Sequence, residues 1–203
     1  MTEIIRNYHS DAIQSFANYK KLAERAIEQV SDEDFFALID PEANSIALIV
    51  KHIAGNLRSR WTDFLTTDGE KDFRDRDSEF ELTGDSRESL MAFWESGWKV
   101  LFDNIEPLTV DGFSRKVTIR GEPHSICEEL NRQKTDYAYP IGQIVFLAKH
   151  FRSLEWRTLS VPKNRSSEFN QLLADKQAAG ELKLNRMEAP QDFVKRQDRK
   201  NMS

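Results

Sequence analysis

A chain of 203 residues, of which 39% are hydrophobic and 31% charged, is long enough to bury the core of one domain. Its net charge of −5 argues against nucleic acid and anionic membranes as partners, because both require a concentrated basic surface. The single cysteine, Cys127, cannot form an internal disulfide, and the sequence shows neither a secretory signal nor an apolar run of membrane-spanning length. We therefore expect a cytoplasmic protein.

Two amphipathic helices are predicted in the first third of the chain. Apolar residues recur at steps of three and four over residues 2–30, which is the period of one helical face. A segment rich in acidic residues and containing Pro41 then interrupts the pattern. The second helix is predicted to begin after Asn44 or Ser45, either of which can cap it, and to continue to Leu65.

A long charged segment, residues 66–85, separates the second helix from the third. It either covers one end of a helical bundle or forms a solvated connection, and the sequence leaves both interpretations open. Its acidic residues lack the spacing and the central glycine of a calcium-binding EF-hand loop. The third helix is predicted to have Asp85 as its N-cap and Glu88 as the partner in a capping box, and to end before Pro107.

The second half of the chain continues with an extended piece and two further helices. Val117 and Ile119 alternate with polar residues, which favours a short extended crossover or a small hairpin. A fourth long helix is predicted over residues 125–153, and a shorter amphipathic helix over residues 167–179 ends at Gly180.

Four long amphipathic helices with one long crossover predict an all-α four-helix bundle, because each apolar stripe must pack against another. We assign the bundle domain to residues 1–175. Residues 176–203 are too polar to bury much surface, so we expect a tail that is mobile or becomes ordered by a partner.

The residues capable of catalysis are few and scattered. No two of the four histidines have the i, i+4 spacing that presents a pair of imidazoles to one metal ion; they are His9, His52, His124 and His150. Cys127 has no assignable histidine partner and is interpreted as a buried spectator rather than a nucleophile. The tryptophans either line a pocket or belong to the core, and the core is favoured for Trp61, Trp94, Trp98 and Trp156.

Three stretches of sequence carry a resemblance to a known family: "VKHIAGNLRSRWTDFLTTDGEKDFRDRDSEFE", "VTIRGEPHSI", and "YAYPIGQIVFLAKH" with "LEWRTLSVPK" after it. With them the chain resembles the DinB-like superfamily of bacterial proteins from its first helix to about Asn170. It is most similar to a branch without an assigned function, related to metal-dependent thiol transferases. The resemblance implies an up-down-down-up bundle and a homodimer.

The resemblance also implies one divalent ion, zinc or nickel, held by three histidines in the bundle. The ligand position on the second helix matches His52, and the Gly142–Gln143 pair locates the other two positions at Asp136 and Pro140. Proline has no donor atom, so only His52 and Asp136 remain as weak metal ligands. Because a catalytic zinc site needs three protein ligands, we expect a degenerate metal site, and Pro140 predicts a kink between Asp136 and Gly142.

Two functions are consistent with these residues. The favoured one is a non-catalytic scaffold, without a cofactor, that binds a small ligand or a protein; its pocket is predicted to contain Asn56, Trp61, Tyr139, Pro140 and Gln143. The alternative is a thiol transferase or hydrolase that holds zinc or nickel through His52 and Asp136. In the favoured case His52 hydrogen-bonds Asp136 or a water. Whether the chain is an enzyme stays open.

Overall fold

The computed structural model describes residues 2–181, 190, 193 and 194, and it divides the chain into two compact units, residues 1–152 and 153–203. The all-α bundle predicted from the sequence is confirmed, with a small two-stranded sheet as its β element. The first unit contains α1 Thr2–Ile27, α2 Asp32–Phe36, α3 Ile46–Trp61, α4 Arg87–Ile105, α5 Ile126–Arg152, β1 Lys116–Ile119 and β2 Glu122–Ser125. The short helix α2 lies where the sequence predicted only a break in the helical pattern.

Serine side chains cap the N-termini of α2 to α5. Ser45 caps α3, as one of the two predicted alternatives, because its hydroxyl accepts a hydrogen bond from the Leu48 amide. The prediction for α4 is wrong by one residue: its N-cap is Ser86, which forms a capping box with Ser89. Asp85 instead accepts a hydrogen bond from the Lys51 ammonium at 3.0 Å. Its carboxylate therefore contacts α3 and does not cap α4.

Aromatic side chains fill the centre of the bundle, where α1 packs on α5 and α3 packs on both α4 and α5. Trp61, Trp94 and Trp98 are each 0% exposed, which agrees with the core interpretation. The Trp98 ring lies 5.8 Å from the Tyr137 ring, and Phe16 lies 6.0 Å from the same ring. Edge-to-face packing of this kind holds Tyr137 in one place, and Tyr137 reaches the site described below.

The long crossover between α3 and α4 packs on the bundle and is not a purely solvated connection. Within it, a 3₁₀ turn at Asp77–Phe80 directs Glu79 inward, where the residue is 5% exposed. Gly55 of α3 makes room for this carboxylate, since a Cβ atom at that position would lie 2.1 Å from Glu79 Oε1. The glycine therefore permits a loop side chain to reach the helix surface.

The predicted small hairpin is present and is tied to the crossover by one aspartate. Strands β1 and β2 pair antiparallel around a turn at Arg120 and Gly121, both of which have positive φ. Asp68 accepts hydrogen bonds from both turn amides at 2.8 Å. Although burial raises the pKa of Asp68, these backbone hydrogen bonds lower it to about 2. The contact fixes the backbone of Arg120.

The fourth predicted long helix is confirmed as α5, which runs as one helix through Pro140. It begins with a reciprocal cap: the Ser125 hydroxyl accepts from the Glu128 amide, and the Glu128 carboxylate accepts from the Ser125 amide. Because Pro140 has no N–H, the Asp136 carbonyl lacks its usual helical donor. The predicted kink stays a prediction.

The second unit contains α6, Ser166–Ala178, which agrees closely with the predicted last helix. Gly180 follows it with φ of +69°, the left-handed conformation that commonly ends a helix. Since α6 extends past residue 175, the proposed tail begins inside this helix, and most of that tail lies outside the described residues. None of the helices in the described ranges has the length and apolar character needed to cross a membrane.

Candidate functional site

A cleft of about 500 Å³ is lined by residues of α3 and α5, of the crossover and of the hairpin turn. We call it the arginine cleft, because its lining includes five arginines and a single acidic residue, Asp136. The lining residues are His52, Ile53, Asn56, Arg60, Arg74, Arg76, Arg120, Arg132, Thr135, Asp136, Tyr137, Tyr139 and Pro140.

One wall of the cleft is a network of three charged or polar side chains. The Nδ1 atom of His52 lies 2.8 Å from Glu79 Oε2, and Arg74 donates to both oxygens of Glu79 at 2.8 and 3.0 Å. Burial raises the pKa of Glu79, but the hydrogen bonds from His52 and Arg74 outweigh it and hold that pKa below the ordinary value. The ionised carboxylate therefore accepts from all three N–H groups. The partner of His52 is Glu79, whereas Asp136 or a water was expected.

A second set of hydrogen bonds connects the cleft to the core. Trp61 Nε1 donates to the Tyr137 hydroxyl at 3.1 Å, and that hydroxyl donates to Asn56 Oδ1 at 3.0 Å. Burial strongly raises the pKa of Tyr137, so its hydroxyl keeps its proton. Trp61 was expected to line the pocket, but it is fully buried and is not a lining residue; its indole N–H contacts the lining residue Tyr137.

Buried polar side chains lie on α3 and α5 at Arg60, Glu129 and Gln133. The Arg60 and Glu129 side chains are 6% and 2% exposed, and Arg60 Nε lies 3.6 Å from Glu129 Oε1, which is too long for a hydrogen bond. Neither Nε nor Nη1 of Arg60 has a hydrogen-bond partner within the described part of the chain. Burial raises the pKa of Glu129 to about 7, against the opposing effect of Arg60.

The other three arginines of the cleft lie nearer to solvent and are weakly paired. Arg120 Nε is 3.3 Å from Glu70 and its side chain is 62% exposed. Arg132 Nε is 3.8 Å from Asp136, with 41% of its side chain exposed. Arg76 stacks over the Phe80 ring at 5.3 Å. Exposed pairs of this length contribute about 0 to 1 kcal/mol, so these guanidinium groups can exchange partners at little cost.

The structure brings most of the predicted site residues together. Those that line the cleft are His52, Asn56, Asp136, Tyr139 and Pro140. Gln143 is not a lining residue; its amide donates to the Tyr139 hydroxyl at 3.2 Å. The sequence interpretation missed the five arginines, although His52, Asn56 and Arg60 are spaced four residues apart and so share one face of α3. That polar stripe was the available signal.

These donors fit a zinc or nickel centre poorly. His52 could ligate only through Nε2, since Nδ1 contacts Glu79. Both oxygens of Glu79 accept from Arg74, and Asp136 is nearly half exposed beside Arg132. Among residues 2–181, 190, 193 and 194, no group of three or more histidine, cysteine or acidic side chains is arranged to hold a metal ion. A divalent cation in the cleft would also be repelled by the guanidinium groups.

A second cavity of similar volume lies between the start of α1 and residues 108–113. Its histidine, His9, already has a hydrogen-bond partner, because Nε2 lies 2.7 Å from the Ile105 carbonyl oxygen.

Cys127, which does not line this cavity, is a weak nucleophile, since burial and then the nearby Glu128 raise its pKa. The arginine cleft is therefore the stronger candidate site.

Comparison with known proteins gives a family match without a described activity. The sequence matches the family model described as "Protein of unknown function (DUF1572)" over residues 3–165. Searches of curated proteins and of solved structures returned no significant match. The matched range includes every residue that lines the arginine cleft.

Proposed function

We propose that this chain, which belongs to a protein family of unknown function (DUF1572), binds a small molecule in the arginine cleft and performs no chemistry there. The observation that carries the proposal is the lining of the cleft, which includes five arginines and a single acidic residue, Asp136. In the DinB-like family that the sequence resembles, the position of His52 is a metal ligand. Here the same side chain takes part in a buried ion-pair network that forms a wall of the cleft.

The form of the cleft supports ligand binding. Its volume of about 500 Å³ lies within the range of small-molecule sites, roughly 300 to 1,000 Å³. Two hydrogen-bonded networks fix its walls, one through Glu79 and the other through Tyr137. A preformed site of this kind loses little conformational entropy when a ligand binds.

The alternative is a thiol transferase or hydrolase that depends on zinc or nickel held by His52 and Asp136. It would place the metal ion on Nε2 of His52, whose Nδ1 can keep its hydrogen bond with Glu79. It also requires further donors, because two protein ligands hold a divalent ion too loosely for a catalytic site. The DinB-like assignment behind this alternative is itself a proposal that rests on the sequence resemblance.

Elemental analysis of the protein purified without added metal tests the choice between the two functions. We expect far less than one zinc or nickel ion per native chain. The double variant Asp136→His, Pro140→His restores the histidines that the resemblance implies, so it should retain added zinc at a ratio near one. Replacing His52 by alanine in that variant should remove the metal again. The proposal would be contradicted if the native protein held one metal ion per chain and the single variant His52→Ala did not.

We also propose a homodimer, as the resemblance implied. Tyr139 and Phe146 are 71% and 63% exposed and lie seven residues apart on α5, which places them on one helical face. We expect sedimentation at micromolar concentration to give a dimer, and Phe146→Ser to shift the equilibrium toward monomer. A native protein that sediments as a monomer would contradict the dimer.

The cytoplasmic location expected from the sequence also stays a prediction.

A further inference from the structure

We propose that the ligand of the arginine cleft is a small dianion, a molecule carrying two negative charges on phosphate or carboxylate groups. This inference rests on the proposed binding function and adds the chemical class of the ligand. The arginines come from four separate parts of the fold: Arg60 from α3, Arg74 and Arg76 from the crossover, Arg120 from the hairpin turn and Arg132 from α5. Such convergence of guanidinium groups is typical of oxyanion recognition.

The buried Arg60 is the strongest indication that an anion belongs in the cleft. Its side chain is 6% exposed, and the nearest carboxylate oxygen to Nε lies at 3.6 Å. Two of its nitrogen atoms have no hydrogen-bond partner within the described residues. Leaving donors of a buried cation unsatisfied is unfavourable, and the incompletely compensated charge of Arg60, which lines the cleft, favours an anion there.

The outer arginines can join Arg60 in holding the ligand, whereas Arg74 belongs to the wall. Arg74 donates two short hydrogen bonds to Glu79, so its guanidinium is already committed. Arg76 and Arg132 are exposed residues. Arg132 has long contacts with Asp136 at 3.8 Å and with His124 at 3.5 Å. A ligand oxyanion between these side chains would replace weak contacts with charge-assisted hydrogen bonds.

The balance of charge in and around the cleft limits the charge of the ligand. Glu79, Glu70 and Asp136 each lie within 3.8 Å of an arginine of the cleft, so they offset three of the five positive charges. Glu129 lies 3.6 Å from Arg60, so it offsets a fourth positive charge when it is ionised. Two positive charges remain for a ligand when Glu129 is protonated, and one remains when it is ionised. The chain as a whole carries −5, which disfavours a long polyanion and favours a small molecule.

Titration with simple dianions tests this inference. Inorganic phosphate and succinate are added at constant ionic strength to chelator-treated protein, and the arginine Nε–H signals are followed by ¹⁵N NMR. We expect saturable shifts that include Arg60, with affinity at least tenfold higher than for the monoanion acetate. Arg76→Gln and Arg132→Gln should each weaken binding about tenfold, as expected for the loss of one charge-assisted contact. Tighter binding of phosphate would indicate a phosphate ligand, and tighter binding of succinate a dicarboxylate ligand.

Arg58→Gln is the matched control, since Arg58 lies on α3 and is exposed but is not a lining residue. It should bind both dianions as the native protein does. An absence of saturable binding by folded protein, an equal loss in Arg58→Gln, or binding that requires added zinc would overturn the dianion inference. Metal content measured on the same preparation keeps the two proposals separate: a metal-free protein that binds no dianion contradicts only the inference, whereas metal held by His52 contradicts the proposed function.

Discussion

Replacing Glu79 by alanine is expected to lower the free energy of unfolding by about 3 to 5 kcal/mol, the usual cost of breaking a buried ion pair. Glu79 accepts from His52 and from two nitrogens of Arg74, whose side chain is 4% exposed. Without the carboxylate, a buried guanidinium would keep its charge and retain only the longer contact with Glu70, at 3.6 Å. Denaturant unfolding followed by tryptophan fluorescence measures the change.

Two further variants show whether this cost arises from the ion pair. Glu81→Ala, two residues along the same crossover, removes an exposed carboxylate and should change stability by no more than about 0.5 kcal/mol. Adding Arg74→Met to Glu79→Ala should recover part of the loss, because the unpaired charge is then removed as well. A loss below about 1 kcal/mol in Glu79→Ala would contradict the network as a structural element.

The second large effect is a fall in stability between pH 4.5 and 7 caused by Glu129. Burial raises the pKa of this carboxyl to about 7 in the folded state, from an ordinary value of 4.5. Below pH 4.5 both states hold the proton, so the contribution is fully present there. As the pH rises toward 7, ionisation of Glu129 stabilises the unfolded chain, whereas in the folded chain the carboxyl stays protonated. Stability from this group should fall by about 3 kcal/mol and then level off.

Unfolding measured at pH 5 and pH 8 checks this contribution when native protein is compared with Glu129→Gln. The glutamine does not titrate, so the variant should lose less stability than the native protein between these two pH values. Glu122→Gln replaces an exposed glutamate and should behave as the native protein does. Identical pH dependence in Glu129→Gln and the native protein would show that the carboxyl of Glu129 ionises normally in the folded state.

The fold could be predicted from the sequence because the helices have strong apolar periodicity. Such patterns depend on local spacing, so the four long helices and the last helix were placed within a few residues. The α4 cap was misplaced because Asp85 and Ser86 are both good capping residues, and only the tertiary contact of Asp85 with Lys51 distinguishes them. The short helix α2 was missed because five residues carry too little periodicity to recognise.

The site could be predicted only in part, for a physical reason. His52, Asn56 and Asp136 were found because a family resemblance assigns functional positions to that region. Glu79 was missed because its burial depends on the space that Gly55 leaves on α3, a contact across 24 residues of sequence with no local signature. Arg120 reaches the cleft through a turn fixed by Asp68, which is equally invisible to local pattern.

The most direct test is a crystal structure of the metal-free protein grown with inorganic phosphate or succinate. We expect the anion to lie in the arginine cleft, with an oxygen within hydrogen-bond distance of Arg60 and of at least one outer arginine, while His52 still contacts Glu79. An empty cleft with the anion bound elsewhere, or a metal ion coordinated by His52 in its place, would contradict the assignment of this site to anion binding.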